Sequence, residues 1–186
     1  SADLSRMAGT GIRVGLLSDT HSHMDDRILH HFKGVDEIWH AGDIGRLEVV
    51  DELAKLAPVR AVFGNIDDQR VRSEHPEVRD WRIGRHRILM LHIGGRPGRY
   101  AKGVRSLLMA RQPSLFICGH SHLLRVERDA TWGGLYVNPG AAGVHGFHRV
   151  RTLLRFHFHP ENGLSDLEVV ELAPRTAQSS VSLQRS

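Results

Sequence analysis

The stretch Leu115-Phe116-Ile117-Cys118-Gly119-His120-Ser121-His122 is the one on which the rest of the chain turns. Its four apolar residues make a run of the length and texture of a buried strand. Gly119 lets the backbone turn at the end of that run without steric cost. Two imidazoles follow, one residue apart, and in extended backbone residues i and i+2 point the same way. His120 and His122 are therefore expected to face one site from a strand-end loop. Similar punctuated pieces occur upstream: Asp19-Thr20-His21, Gly42-Asp43, Gly64-Asn65 and His92 each come just after an apolar run. Packing alone does not require five strand ends that each carry a metal-type ligand.

Outward from that stretch, the chain reads as strands alternating with helices. Ile12–Leu17 is the first buried strand, ending at Ser18-Asp19-Thr20-His21. Asp25 and Asp26 suit the first turn of a helix, Ile28, Leu29 and Phe32 give it an apolar face, and Gly34 ends it. A strand over 35–40 leads to Ala41-Gly42-Asp43, and a helix over 47–57 buries Leu47, Val50, Leu53, Ala54 and Leu56 before Pro58 stops it. A third strand over 59–63 ends at Gly64-Asn65-Ile66-Asp67. Such a succession implies right-handed parallel crossovers, and ligands in such sheets gather at the carboxyl ends of the strands.

Residues 68–76 are polar and are expected to be irregular. Val78–Ile83 and His86–Leu91 read as strands joined by the Gly84-Arg85 turn, and 94–98 as a flexible loop. A helix over 101–111 turns Val104, Leu107 and Leu108 inward. After His122 the texture changes: 124–128, 135–138, 149–159 and 164–172 are short β-type segments, expected to form a second, antiparallel-leaning sheet packed on the first. Residues 1–10 are expected to be a disordered leader, 11–173 one domain, and the Ser/Gln-rich 174–186 a disordered tail.

Composition sets outer bounds. With 186 residues the chain can bury one full core. No apolar run approaches the ~20 residues needed to cross a bilayer, and no membrane association is expected. The single cysteine, Cys118, rules out an internal disulfide and fits a reducing compartment, so a cytoplasmic protein is expected. The formal charge of +4 is read as a solvated, arginine-rich surface rather than a nucleic-acid arm. Histidine, at 14 residues, is the outlier; it is a common metal ligand and the usual acid–base group near neutral pH.

Asp19, His21, Asp43, Asn65, His92, His120 and His122 offer only nitrogen and oxygen donors. Such a set suits Mn²⁺ first, with Fe, Zn²⁺ or Ni as alternatives to it. It exceeds what one tetrahedral ion needs, and two ions sharing a bridging carboxylate account for the surplus, Asp43 being the natural bridge. Two-metal sites hold ions about 3.5–4 Å apart and acidify a bound water, which is the machinery of phosphoester hydrolysis.

Together Asp19-x-His21, Gly42-Asp43, Gly64-Asn65-x-Asp67, His92 and Gly119-His120-x-His122 resemble the calcineurin-like metallophosphoesterases, closest to their small single-domain bacterial and archaeal phosphodiesterase branch. Asn138-Pro139-Gly140 resembles the branch's segment after the paired histidines. The resemblance spans roughly 12–150. It implies an α/β fold, a four-layer αββα sandwich of two mixed sheets flanked by helices. It also implies that Asp19, His21, Asp43 and His122 hold one divalent metal ion, that Asp43, Asn65, His92 and His120 hold the other, and that a hydroxide between them attacks phosphorus in a small phosphoester, a diester rather than a monoester. Two positions depart from the family pattern. Ile66 stands where many relatives have a leaving-group histidine, and His92-Ile93-Gly94 lacks the second histidine of the fourth motif. His23, His145 and His148 are the substitutes on offer.

Two other functions remain beside the hydrolase: a protein-binding module that kept the fold, and a nuclease, ranked lower. The remaining features have plain structural readings. His30, His31, His40, His86, His157 and His159 are expected at the surface or core edge, Cys118 in the core, and Trp39, Trp81 and Trp132 in packing rather than base stacking. Asp67 either braces a neighbouring ligand or stabilises a turn. The oligomeric state is left open.

Overall fold

The computed structural model of the protein describes residues 11–174. In chain order its elements are β1 (Ile12–Leu17), α1 (Asp26–His31), β2 (Glu37–His40), α2 (Glu48–Ala54), β3 (Val59–Ala61), α3 (Gln69–Glu74), β4 (Val78–Ile83) and β5 (His86–Leu91). The short pair β6 (Gly95–Arg96) and β7 (Arg99–Tyr100) follows, then α4 (Val104–Arg111), β8 (Leu115–Ile117), β9 (Leu124–Asp129), β10 (Gly134–Pro139), β11 (Val150–His159) and β12 (Gly163–Pro174).

Both faces of β1 are apolar because both are covered. Val14 and Leu16 enter a core shared by two sheets, while Leu17 enters a core shared with Ile28 and Phe32 of the α1 region. Gly15 lies on that helix-side face, where a Cβ would come within 2.6 Å of the Phe32 ring. The first sheet has the order β12-β11-β1-β2-β3, with β1, β2 and β3 parallel as the crossovers require. The second has the order β4-β5-β8-β10-β9, with β5, β8 and β10 parallel and an antiparallel strand at each edge.

Three cores separate four layers. Ile28, Val49, Leu53 and Val71 seat α1, α2 and α3 on the first sheet. Val14, Leu16, Trp39, Met90, Ile117, Val137 and Phe156 fill the space between the sheets. Val104 and Leu108 seat α4 on the second sheet against Phe116, Cys118, Trp132 and Tyr136. The result is the αββα sandwich, with a mixed sheet in each inner layer. Among the described residues no helix is long and apolar enough to cross a membrane.

The structure corrects four expectations, the smallest being Ala54, which is exposed on α2 rather than part of its buried stripe. β11 and β12 belong to the first sheet: β11 pairs antiparallel with β1, from Ile12↔Phe158 to Leu16↔Leu154, and turns Phe156 and Phe158 into the inter-sheet core. Residues 68–76 include α3, whose N-cap Asp68 accepts from the N–H groups of Arg70 and Val71 and which buries only Val71. Residues 94–98 form most of a tight hairpin. The expected leader and tail lie outside the described residues, save Pro174, which ends β12.

Candidate metal centre

The carboxyl ends of β1, β2 and β3 in one sheet and of β5 and β8 in the other meet at one edge of the sandwich. Each delivers side chains anticipated from the motifs: Asp19 and His21, Asp43, Asn65, His92, and His120 with His122. Five of these residues are non-glycines in left-handed backbone: Asp19 (φ 55°), His21 (46°), Asp43 (53°), His120 (72°) and His122 (63°). Each such residue costs on the order of 1–3 kcal/mol unless its surroundings hold it there, and such strain gathers at functional sites.

The local geometry of the paired histidines differs from the extended alternation expected. His120 and His122 carry the left-handed turns themselves, and each joins a different cluster. Gly119 is needed for space rather than for an unusual φ: a Cβ there would strike the Ser18 hydroxyl and lie 2.7 Å from Asp19 Oδ2. Gly64 plays the same part against Asp43, whose carboxylate and backbone N would collide with a side chain.

Two triads of ligand atoms result, Asp19–His21–His122 and Asp43–His92–His120, with the atoms of each within 4.8 Å of one another. His122 Nε2 is 3.1 Å from Asp19 Oδ1. Asp43 Oδ2 lies 3.4 Å from His21 Nε2 and 3.1 Å from His92 Nε2, so it touches one imidazole of each triad. Asn65 Oδ1 sits 3.0 Å from His120 Nδ1, beside the second triad. All seven side chains therefore converge.

The second oxygens and nitrogens are already engaged, which fixes the inward ones. Asp19 Oδ2 accepts from the Ser18 hydroxyl at 2.7 Å and from the His120 backbone N–H at 3.1 Å. Asp43 Oδ1 accepts from the Ile66 N–H at 3.1 Å. His92 Nδ1 faces the Ala41 carbonyl at 2.8 Å, and a carbonyl only accepts, so Nδ1 carries the hydrogen and the neutral ring presents a bare Nε2 inward. His148 Nε2 faces the Gly143 carbonyl at 2.8 Å, and its Nδ1 lies 3.2 Å from His122 Nδ1. In the neutral pair His122 Nδ1–H must donate, which leaves His122 Nε2 bare towards Asp19.

Three buried atoms at the centre have no hydrogen-bond partner: Asp19 Oδ1, His21 Nε2 and His92 Nε2. Buried polar groups are rarely left so, and these three point at one another. The electrostatics agree. Burial by itself would raise the Asp19 carboxyl, but His122, His21 and His92 hold it well below the usual carboxylate range. Asp43 is lowered in the same way, with His21 and His92 overcoming burial. The carboxylates of Asp19 and Asp43 push His21 up to about 9, and they raise His92 against its burial. Carboxylates that hold protons on neighbouring imidazoles this strongly attract cations by the same force, so the donor set fits divalent metal.

Of the residues that position these ligands, the sequence reading anticipated Asp67 as a brace and missed His40. His40, expected at the surface or core edge, is fully buried. It accepts from the Gly42 N–H on Nδ1 and donates from Nε2 to Thr20 Oγ1, whose own hydrogen goes to the Ile44 carbonyl. It thereby ties the loop of Asp19 and His21 to the loop of Asp43. Asp67 braces both this loop and the next, accepting from the N–H groups of Ile44 (3.1 Å), Gly45 (2.8 Å) and Gly64 (2.7 Å). Asn138 donates to the Gly119 carbonyl and to Ser121 Oγ, steadying the histidine loop. His23 is bound up with Asp25, which also meets the buried guanidinium of Arg151 at 2.8 Å. Cys118 is in the core as expected, its thiol pushed up to about 12 by burial.

Residues 12–161 match the model of the calcineurin-like phosphoesterase superfamily domain. The chain belongs to that superfamily. A probable metallophosphoesterase of Methanothermobacter thermautotrophicus is 30% identical over 138 residues, which cover 70% of this chain and 77% of that protein. Two solved structures share the calcineurin-like fold at lower identity. An archaeal phosphodiesterase superposes with a TM-score of 0.68 at 21% identity, covering 87% of this chain and 100% of the other. Vps29 of Chaetomium thermophilum gives 0.65 at 15% identity over 86% of this chain and 96% of the other. The superfamily implies divalent metal ions and phosphoester substrates, and the paired triads are where this phosphoesterase-family chain can hold such ions.

Proposed function

We propose that the protein is a phosphodiesterase dependent on two divalent metal ions, manganese first among them. Asp19, His21, Asp43 and His122 would hold one ion, and Asp43, Asn65, His92 and His120 the other. One observation carries this reading: Asp43 Oδ2 stands between His21 Nε2 and His92 Nε2, at 3.4 and 3.1 Å, which supports a carboxylate shared by two ions. Bound there, the ions supply Lewis acidity and an acidified water, which serves as the nucleophile.

The chain's own residues do the rest. Asp19 and Asp43 stay ionised and supply the negative charge that draws cations to the centre. The Ala41 carbonyl and His148 turn the bare nitrogens of His92 and His122 inward. As water adds to phosphorus, the P–O bond to the leaving arm breaks and that oxygen must take up a proton. Ile66 lines the cavity over the centre, where it cannot supply one, and His23 is held by Asp25, which leaves His145, in the same cavity and stacked on the His21 ring at 4.7 Å, as the imidazole on hand. Diesters with good leaving groups depend least on that proton. Manganese-dependent hydrolysis of bis-p-nitrophenyl phosphate, abolished in Asp43→Ala, is expected; full activity in that variant would refute the reading.

The likeness to Vps29 supports a second reading, a protein-binding module on the same fold. Tight metal binding without turnover on any phosphoester would favour it.

A further inference from the structure

Two cavities meet at Asn65. One, of about 450 Å³, lies over the metal centre and is lined by His21, Asp43, His120 and His122. The other, of about 520 Å³, starts at Asn65 and His92 and runs away from the centre between the β3 end and the start of α4. A monoester has one organic arm and needs one cavity beside the reacting phosphate. A diester has two arms and needs two.

The walls of the second cavity say what its arm is made of. Phe63, Val78, Ile93 and Leu107 give it apolar sides that suit a flat ring. Arg72 and Lys102 bring two cations against one carboxylate, Glu77. Arg72 is held in place, since its Nε donates to the Asp67 carbonyl at 2.7 Å and its guanidinium lies 4.6 Å over the Phe63 ring. Its terminal amino groups thus remain for a ligand, and a planar guanidinium in a fixed position is the group best shaped to grip a phosphate.

We propose that this second cavity binds one ester arm of the substrate, and that the arm is a nucleotide: a flat apolar base with a further phosphate that meets Arg72 and Lys102. The proposal rests on the metal-dependent phosphodiesterase reading. It names a small phosphorylated dinucleotide as the class of substrate.

The test compares pApA and ApAp with unphosphorylated ApA on the manganese-loaded protein, with bis-p-nitrophenyl phosphate as the reference substrate. At least one phosphorylated dinucleotide should show kcat/KM about tenfold or more above ApA, as expected of a charge-assisted contact. Within Arg72→Gln, and within Lys102→Met, that ratio should fall towards one, while Glu77→Gln should raise it. Because each ratio is taken within one protein, a change in overall activity does not affect it. Calorimetric binding of adenosine 3′,5′-bisphosphate should likewise be tighter than that of AMP, and Arg72→Gln should remove the difference. Hydrolysis of bis-p-nitrophenyl phosphate with no preference among the dinucleotides, or a preference that survives both cation variants, overturns the proposal. Selective, Arg72-dependent bisphosphate binding without any hydrolysis would uphold the binding site and reject the catalytic reading.

Discussion

His40 offers the sharpest test of how the two ligand loops are held. Its ring is fully buried, with Gly42 N–H on one nitrogen and the Thr20 hydroxyl on the other, so the folded protein needs it neutral. Burial pushes its pKa down to about 3. In the unfolded chain the same ring titrates near 6.5. Below pH 6.5 the unfolded state therefore takes up a proton that the folded state refuses until about pH 3, and stability falls as the pH falls. At pH 5 the two states differ by 1.5 pH units of free energy, so His40 alone should lower stability by about 2 kcal/mol relative to pH 7 or above. His40→Gln lacks the titration, whatever it costs at neutral pH. Urea denaturation of wild type and variant at pH 7.5 and pH 5, with chelator present in every sample, isolates the effect as a difference of differences. Wild type should lose about 2 kcal/mol more than the variant on acidification. Equal losses would show that the ring is not held neutral between the two loops.

Three further outcomes follow from the same geometry. Asp67→Ala strips the acceptor from three backbone N–H groups on two ligand loops, and should cost about 3 kcal/mol in denaturation while weakening metal uptake; an unchanged midpoint would refute the brace. His148→Phe should weaken one of the two metal sites by roughly 10–100-fold in a competitive chelator titration, with His148→Asn, which keeps an acceptor for His122, recovering much of the loss; equal affinities in all three proteins would remove His148 from that role. Ile66→His places a proton donor over the centre and should speed hydrolysis of diesters with poor leaving groups by about 10²-fold while leaving p-nitrophenyl esters little changed; no gain on the poor leaving groups would show that leaving-group protonation is not what limits them.

The motifs were legible because their chemistry is local: a carboxylate or imidazole just past a buried strand, with a glycine wherever a ligand from another loop comes close. The strands Val78–Ile83 and His86–Leu91 were legible to the residue because their turn is tight. Sheet membership was not. An apolar alternation shows that β11 is buried but not against what, and only its antiparallel pairing, from Ile12↔Phe158 to Leu16↔Leu154, places it beside β1. The histidines show the limit most clearly. His40 ends β2 and His92 follows β5 directly, so by type and position they look alike. What separates them is the backbone group that each ring meets. A backbone N–H on His40 Nδ1 and a hydroxyl at Nε2 leave that ring no nitrogen to offer a cation, so it can only brace. A carbonyl at His92 Nδ1 takes that nitrogen's hydrogen and leaves Nε2 bare, so it can ligate. Side-chain type limits which residues can bind a metal; the direction of one backbone hydrogen bond decides which of them can.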